Sequence, residues 1–303
     1  MTQFFQSSSP QAPGSQRSPV LPVVALVMSA ALWGTSWYPF RVLDGEGVDG
    51  LWAVTITEVI AAVLCLLIFG KKMLGLRWSR PLIAIGLLGG ACNTGYVIGA
   101  IEGEVMRVTL LLYLAPLWTL FLARWMLGET LNHLGIMVVA LSLTGAMVML
   151  WPFAEDGVAF STGDLWGLMA GMAYAGYNVL VRRHLELSVP HKTFSATLGS
   201  AVVAVAAMPV LGWPALPAVS AYSGAIMLGL GLILLWIALM MQYGLERLPA
   251  TRSSVIMVSE LLFAALSAWW LAQEVPGLRE GVGGMLILVA SLRSTRIAPK
   301  GIH

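Results

Sequence analysis

Two acidic residues stand where acids are costly. Glu58 lies in the run Ala53-Val-Thr-Ile-Thr-Glu58-Val-Ile-Ala-Ala62, and Glu260 in Ser259-Glu260-Leu-Leu-Phe-Ala264. A carboxylate at mid-bilayer costs roughly 2.5–3.5 kcal/mol on insertion scales unless it is paired, protonated or facing water. Each could therefore take up and release a proton, or hold an ammonium group. The plain alternative is a structural pair with an arginine or a backbone donor. Arg252 is eight residues from Glu260, about 12 Å along a helix. Arg107 and Arg252 begin two similar apolar runs. They read either as gate residues that pair with an acid when their side closes, or as flank residues that snorkel to the interface; snorkelling is the preferred reading.

Aromatic and amide residues form a second set. Trp33 and Trp37 are spaced i, i+4 and share a stripe. Asn93 and Tyr96 are i, i+3, and Tyr174, Tyr177 and Asn178 are i, i+3, i+4. Tyr113 and Trp236 fall within further apolar runs. A phenol or carboxamide facing lipid is unfavourable, so these residues should point inward, either as packing glue between helices or as the lining of a cavity. Such a lining could stack on an apolar side chain while Asn and Tyr bind a zwitterion.

Other chemistry is missing. His133, His184, His191 and His303 lie in expected loops or the tail, and no Cys/His spacing suits a metal. There is no Walker A motif, and no cofactor is expected. Cys65 and Cys92 lie inside apolar stretches and read as small buried hydrophobes. Gly163, Gly167 and Gly171 form a ridge for close helix packing, as do Gly229-x-Gly231 and Gly281-x-Gly283-Gly284.

The elements that must position these residues follow from composition. Of 303 residues 58% are hydrophobic and 11% charged, and mean hydropathy is +0.83. Soluble domains carry about 25% charge. The chain has too few charges for the polar shell of a soluble enzyme, a disordered protein or a nucleic-acid-binding domain. It reads as an all-α polytopic membrane protein. Ten spans are expected, near 20–40, 51–69, 82–101, 105–123, 133–151, 164–181, 193–212, 222–243, 250–271 and 278–295. Residues 1–19, rich in Ser, Gln and Pro, should be a disordered tail, and 297–303 a short C-terminal tail.

Charge fixes the expected sidedness. With both termini cytoplasmic, 14 of the 17 Lys and Arg residues fall on the inner face, leaving Arg41, Arg107 and Arg279 outside. The halves also repeat. A shift of 145 residues superposes Arg107 on Arg252, Trp125 on Trp270 and Glu129 on Glu274; a shift of 142 brings Gly34 onto Gly176 and Arg41 onto Arg183. Two units are expected, 20–151 and 164–296, joined by a periplasmic linker at 152–163. Five spans is an odd number, so the second unit should be inverted, as in alternating-access transporters.

Particular motifs carry a resemblance. They are Leu32-Trp33-Gly34-Thr35-Ser36, Tyr113-Leu-Ala-Pro116-Leu-Trp118 with Leu127-Gly128-Glu129, and Tyr243-Gly-Leu-Glu-Arg-Leu-Pro249-Ala-Thr-Arg252 leading to Ser259-Glu260 and Gln273-Glu274. The chain resembles the drug/metabolite transporter superfamily, in its duplicated ten-helix EamA-type exporters. Its Tyr-Leu-x-Pro pattern is similar to the YddG branch of aromatic amino-acid exporters. One departure matters. The family pattern has Glu-Pro in both copies, whereas this chain has Ala115-Pro116 in one and Glu260-Leu261 in the other. Each copy keeps one half, so Pro116 should kink its helix without a counterpart in the second unit.

The resemblance implies a non-enzymatic, multi-pass protein of the bacterial inner membrane. It would export amino acids, aromatic and other apolar ones included, and related small metabolites through a central cavity. Its partners would be a small-molecule substrate and the lipid bilayer, with no nucleic acid and no obligate protein partner evident. The expected lining is Trp33, Trp37, Asn93, Tyr96, Tyr113, Tyr174, Tyr177, Asn178 and Trp236. The coupling or gating candidates are Glu58, Glu260, Arg107, Arg252 and Pro116. An exporter of drugs or nucleosides on the same fold is the nearest alternative, and a membrane-embedded enzyme or a channel a distant one. Cysteines introduced at Leu74 and Ser188 should be labelled only from the cytoplasm, and those at Glu46 and Asp156 only from outside. Labelling of both pairs from one side would contradict the topology.

Overall fold

The computed structural model describes residues 20–115, 117–119, 121–122, 133–150, 160–184, 186–212, 214–245, 256–257, 259–275 and 277–294. Pro116 and Arg252 lie outside them, as do the tails and most of the 152–163 linker. The described residues form helices and no strands. These are α1 (Val20–Thr35), α2 (Trp37–Gly45), α3 (Gly50–Met73), α4 (Arg80–Glu102), α5 (Val105–Leu112), α6 (His133–Leu150), α7 (Thr162–Arg183), α8 (Val189–Leu211), α9 (Ala221–Leu245), α10 (Ser259–Ala272) and α11 (Leu278–Ser294). Five stretches are long and apolar enough to cross a bilayer: Val20–Gly45, Gly50–Met73, Arg80–Glu102, Val189–Leu211 and Ala221–Met241. Leu67 is 74% exposed and Trp270 74%, and many other large apolar side chains face outward. Such a surface suits lipid rather than water.

Several boundaries differ from the sequence reading for local reasons. The first apolar run continues past residue 40 to Gly45, with a break at Ser36. There the hydroxyls of Thr35 and Ser36 turn back to the carbonyls of Ala31 (2.9 Å) and Trp33 (2.8 Å), a competition that loosens a helix. The run from Val105 is helical to Leu112 and turns at Tyr113 and Leu114. Proline at 116 has no N–H to offer the Leu112 carbonyl four residues back. Helix α8 starts at Val189 rather than 193, with Pro190 in its first turn, where a missing donor costs nothing.

Helix α4 is the centre of the bundle. It packs against α7 and α8 most extensively and also touches α2, α3 and α5. Small residues allow this. A Cβ on Gly199 would lie 2.0 Å from the Gly86 carbonyl oxygen, and one on Gly90 would lie 2.4 Å from Gly199. The Gly163/Gly167/Gly171 ridge lies as expected against backbone, at Gly103, Val108 and Leu112. Gly231 abuts Thr57 and Ile60, but Gly229 and Gly281 have open space above them, so the expected close packing fails at those two. They face away from the neighbouring helices. The remaining strong contacts are α3 with α8 and α9, α1 with α9 and α10, α5 with α7 and α10, and α6 with α11.

The Gly86–Gly199 crossing makes a direct test. Gly199→Ala must push α4 and α8 apart, because its methyl would meet backbone. Overpacking of this kind costs about 1–3 kcal/mol, so the detergent-solubilised variant should melt several degrees below wild type. Gly229→Ala should melt at or slightly above wild type. Equal melting of the two variants would contradict the close crossing.

Candidate functional site

Glu260 sits in the first turn of α10 and is buried. Helix α1 comes close behind it: a Cβ on Gly34 would lie 2.7 Å from the Glu260 carbonyl oxygen and 2.9 Å from the Ala264 nitrogen. Any larger residue at 34 would displace α10. The carboxyl itself acts on side chains from three other helices. Tyr113 at the end of α5, Tyr96 and Cys92 on α4, and Tyr174 on α7 all lie within its electrostatic reach. The Tyr113 hydroxyl is beside the carboxyl and donates to the Met257 carbonyl at 2.9 Å. Asn178 is one turn along from Tyr174 on α7, and the Tyr177 ring packs over Gly89. Trp33 stacks on Tyr96, with centroids 6.2 Å apart and planes 19° from parallel.

This arrangement brings together seven of the residues singled out by sequence: Trp33, Tyr96, Tyr113, Tyr174, Tyr177, Asn178 and Glu260. A buried carboxyl thus lies near a core in which Cys92 and Tyr96 pack with Trp33, Tyr113 and Tyr174. An acid so placed can hold a proton or an ammonium group, and the rings can hold an apolar side chain.

Three expected lining residues lie elsewhere. Asn93 donates to Glu58 Oε1 at 2.5 Å. Trp37 is fully buried, and its indole N–H donates to Ser267 Oγ at 2.9 Å, which in turn donates to the Gly34 carbonyl. It ties α2 to α10 as packing rather than as lining. Trp236 points outward and is 54% exposed. Its position on α9 is on the face away from α1 and α3, so the expectation that a mid-span tryptophan points inward is corrected.

The snorkelling reading of Arg107 is also corrected. Arg107 is buried, and its guanidinium meets Asp164 in a two-pronged pair, Nε to Oδ1 at 3.1 Å and Nη2 to Oδ2 at 2.7 Å. Asp164 is simultaneously half of a capping box: Ser161 N–H donates to its Oδ2 at 2.9 Å, and its own N–H donates to Ser161 Oγ at 3.2 Å. A charged pair is thereby built into the start of α7. Nearby, Arg41 spans the ends of three elements. Its Nε donates to the Ala100 carbonyl (2.7 Å), its Nη2 to the Gly103 carbonyl (2.6 Å), and its Nη1 pairs with Glu274 at 2.9 Å. Its guanidinium also lies 5.0 Å from the Trp37 ring. Glu274 is set by Gln273, which adopts φ 57° just past α10 and lets the Glu274 N–H reach the Ala268 carbonyl.

Sequence reading did not single out Asp164, Arg41 or Glu274 as partners; Arg41 entered as an outer charge and a repeat match, and Glu274 as a repeat and motif residue. The Ser161-x-x-Asp164 spacing was the available signal for a cap. Nothing in the sequence alone joins position 41 to 274. At the opposite end, exposed His184 and Glu186 pair at 2.7 Å. The hydrogen bond from His184 holds the Glu186 carboxyl below its usual range, a loop contact without wider consequence.

Comparison with known proteins gives the family of the chain. The EamA-like transporter family model matches twice, at residues 20–151 and 161–295. An uncharacterized transporter of Archaeoglobus fulgidus is 26% identical over 90% of this chain and 95% of its own length. An S-adenosylmethionine uptake transporter of Rickettsia prowazekii is 25% identical over 74% of each chain. A probable terminal-alkyne amino-acid exporter of Streptantibioticus cattleyicolor is 30% identical over 51% of this chain and 52% of its own. With both halves of the chain matched by one family model, this protein is a membrane transporter belonging to the EamA-like transporter family.

Proposed function

We propose that the chain is a secondary exporter of amino acids and similar small amphipathic metabolites in a bacterial inner membrane. It would work by alternating access between two inverted five-span repeats. The observation that carries this reading is the Glu260 carboxyl set among Tyr96, Tyr113 and Tyr174, with Trp33 stacked beside them. An amino-acid zwitterion needs an acceptor for its ammonium, donors for its carboxylate and an apolar surface for its side chain. The carboxyl, the phenols with Asn178, and the rings supply these in turn. The relative named as an amino-acid exporter supports the same substrate class.

The inverted repeat draws support from the packing. Exchange of each early span with the one five later converts α4–α7 into α9–α1, α4–α8 into α9–α3, and α5–α7 into α10–α1. It leaves α3–α8, α5–α10 and α6–α11 unchanged, and every one of these contacts is present. The logic of the cycle is electrostatic. The Arg41–Glu274 and Arg107–Asp164 pairs each join the first repeat to the second at one end of the bundle, the end assigned to the periplasm by the Lys/Arg bias. In this conformation that end is tied shut, and opening it would require both pairs to part.

Three outcomes test the reading. Proteoliposomes loaded with an unlabelled aromatic or aliphatic amino acid should accumulate the labelled form by counterflow; no exchange for any of the twenty would remove the amino-acid assignment. Asp164→Asn removes the charge that meets a buried guanidinium through two hydrogen bonds, a loss of about 3–5 kcal/mol for breaking a buried pair. The variant should melt lower and expose a cysteine placed at Met106 to outside reagents, and unchanged labelling would mean the pair is no gate. Glu260→Gln keeps shape and hydrogen bonding but does not titrate. Loss of pH-gradient-driven efflux with exchange retained would make the acid the coupling residue, and an unchanged gradient response would assign it to structure.

A further inference from the structure

Glu58 is a second buried acid, on α3, and it lies outside the tyrosine cluster. It is 4% exposed and about a third of the way along a 24-residue apolar helix. Its Oε1 accepts from the Asn93 amide at 2.5 Å, and its Oε2, fully inaccessible, has no hydrogen-bond partner among the described residues. An ionised carboxylate offers about four acceptor sites, and here one is used. Leaving a charge so poorly solvated costs several kcal/mol. A neutral acid fits the same geometry, with the carbonyl oxygen accepting from Asn93 and the proton on the other oxygen.

The neighbouring elements supply no counter-charge. Helix α4 presents Asn93 to Glu58; its own charges, Arg80 and Glu102, are at its ends. Helix α2 carries Arg41, engaged with Glu274, and Asp44 near its end. On α8, Lys192 lies in the first turn, and His191 reaches the Lys72 carbonyl near the far end of α3. Helix α9 carries Tyr222 and Tyr243 at its two ends. Asn93 hydrogen-bonds the Glu58 carboxyl. A metal ion would need several oxygen or nitrogen ligands, and the described residues hold no cluster of three His, Cys, Asp or Glu.

We propose that Glu58, held by Asn93, is a proton-binding site distinct from Glu260, occupied as the neutral acid in this closed conformation. The proton comes from and returns to water, with no other bond made or broken. Helix α4 joins the two acids, since Asn93 holds Glu58 while Cys92 and Tyr96 lie within the electrostatic reach of Glu260. Loading of one site can thus be felt at the other through a single rigid element. The proposal does not depend on which substrate is carried.

Infrared spectroscopy of the full chain in lipid tests it through the protonated-carboxyl C=O stretch. At neutral pH wild type should show a component that Glu58→Gln removes and Glu260→Gln leaves. Asn93→Ala should shift that component, which keeps the test alive should Glu58→Gln fail to fold. Raising the pH should diminish the component reversibly. A neutral-pH spectrum unchanged by Glu58→Gln, or unshifted by Asn93→Ala, would overturn the site. So would a component that ignores pH up to unfolding, since the acid would then be structural.

Discussion

The interior of this protein tolerates charge only where geometry cancels it, and that constraint shapes everything else. Arg107 and Asp164 are the clearest instance. Both are almost wholly buried, they meet through two hydrogen bonds, and the acid also caps the helix on which it sits. Such pairs contribute little net stability over an apolar substitute, but they are costly to break one partner at a time. What they specify is an arrangement. This pair holds the start of α5 against the start of α7, one on each matched half of the chain.

The tyrosine cluster obeys the same constraint by a different route. Among the described residues Glu260 makes no ion pair, and the groups it interacts with include phenols and a thiol. Close approach makes this possible. Gly34 lets α1 pass against the Glu260 backbone, and Gly89 leaves room for the Tyr177 ring. The glycine-lined crossings of α4 with α8, and of α7 with α5, fix the helices that carry the phenols. Packing thus sets the chemistry of the site. Polar side chains from several helices lie near one another inside an apolar bundle because small residues bring rigid helices close together.

Much of this was legible in the chain itself. Composition gave the membrane class, and the paired motifs around Arg107/Arg252 and Glu129/Glu274 led to the family. Helical spacing singled out Tyr174, Tyr177 and Asn178 as one face. What failed were inferences about direction that periodicity does not carry. Trp236 sits in an apolar run with no marked polar face, so nothing told inward from outward, and it faces out. Asn93 and Tyr96 share a helix side by spacing, yet they serve different acids, because α4 is buried on nearly all sides and each of its residues meets a different neighbour. Arg107 was read as a flank residue because its partner lies 57 positions away. Long-range pairing of single charges leaves no local trace.

The central claim is that amino-acid-like molecules bind within the Glu260–tyrosine cluster. Thermal unfolding of the purified protein across a metabolite panel tests it most directly, because a ligand at a hundred times its Kd stabilises the folded state by about 2.7 kcal/mol. Apolar amino acids with free amine and carboxylate should raise the melting temperature of wild type, and Tyr174→Ala should abolish that shift while still unfolding cooperatively. A panel with no stabilising amino acid, or a shift that survives in Tyr174→Ala, would contradict the account.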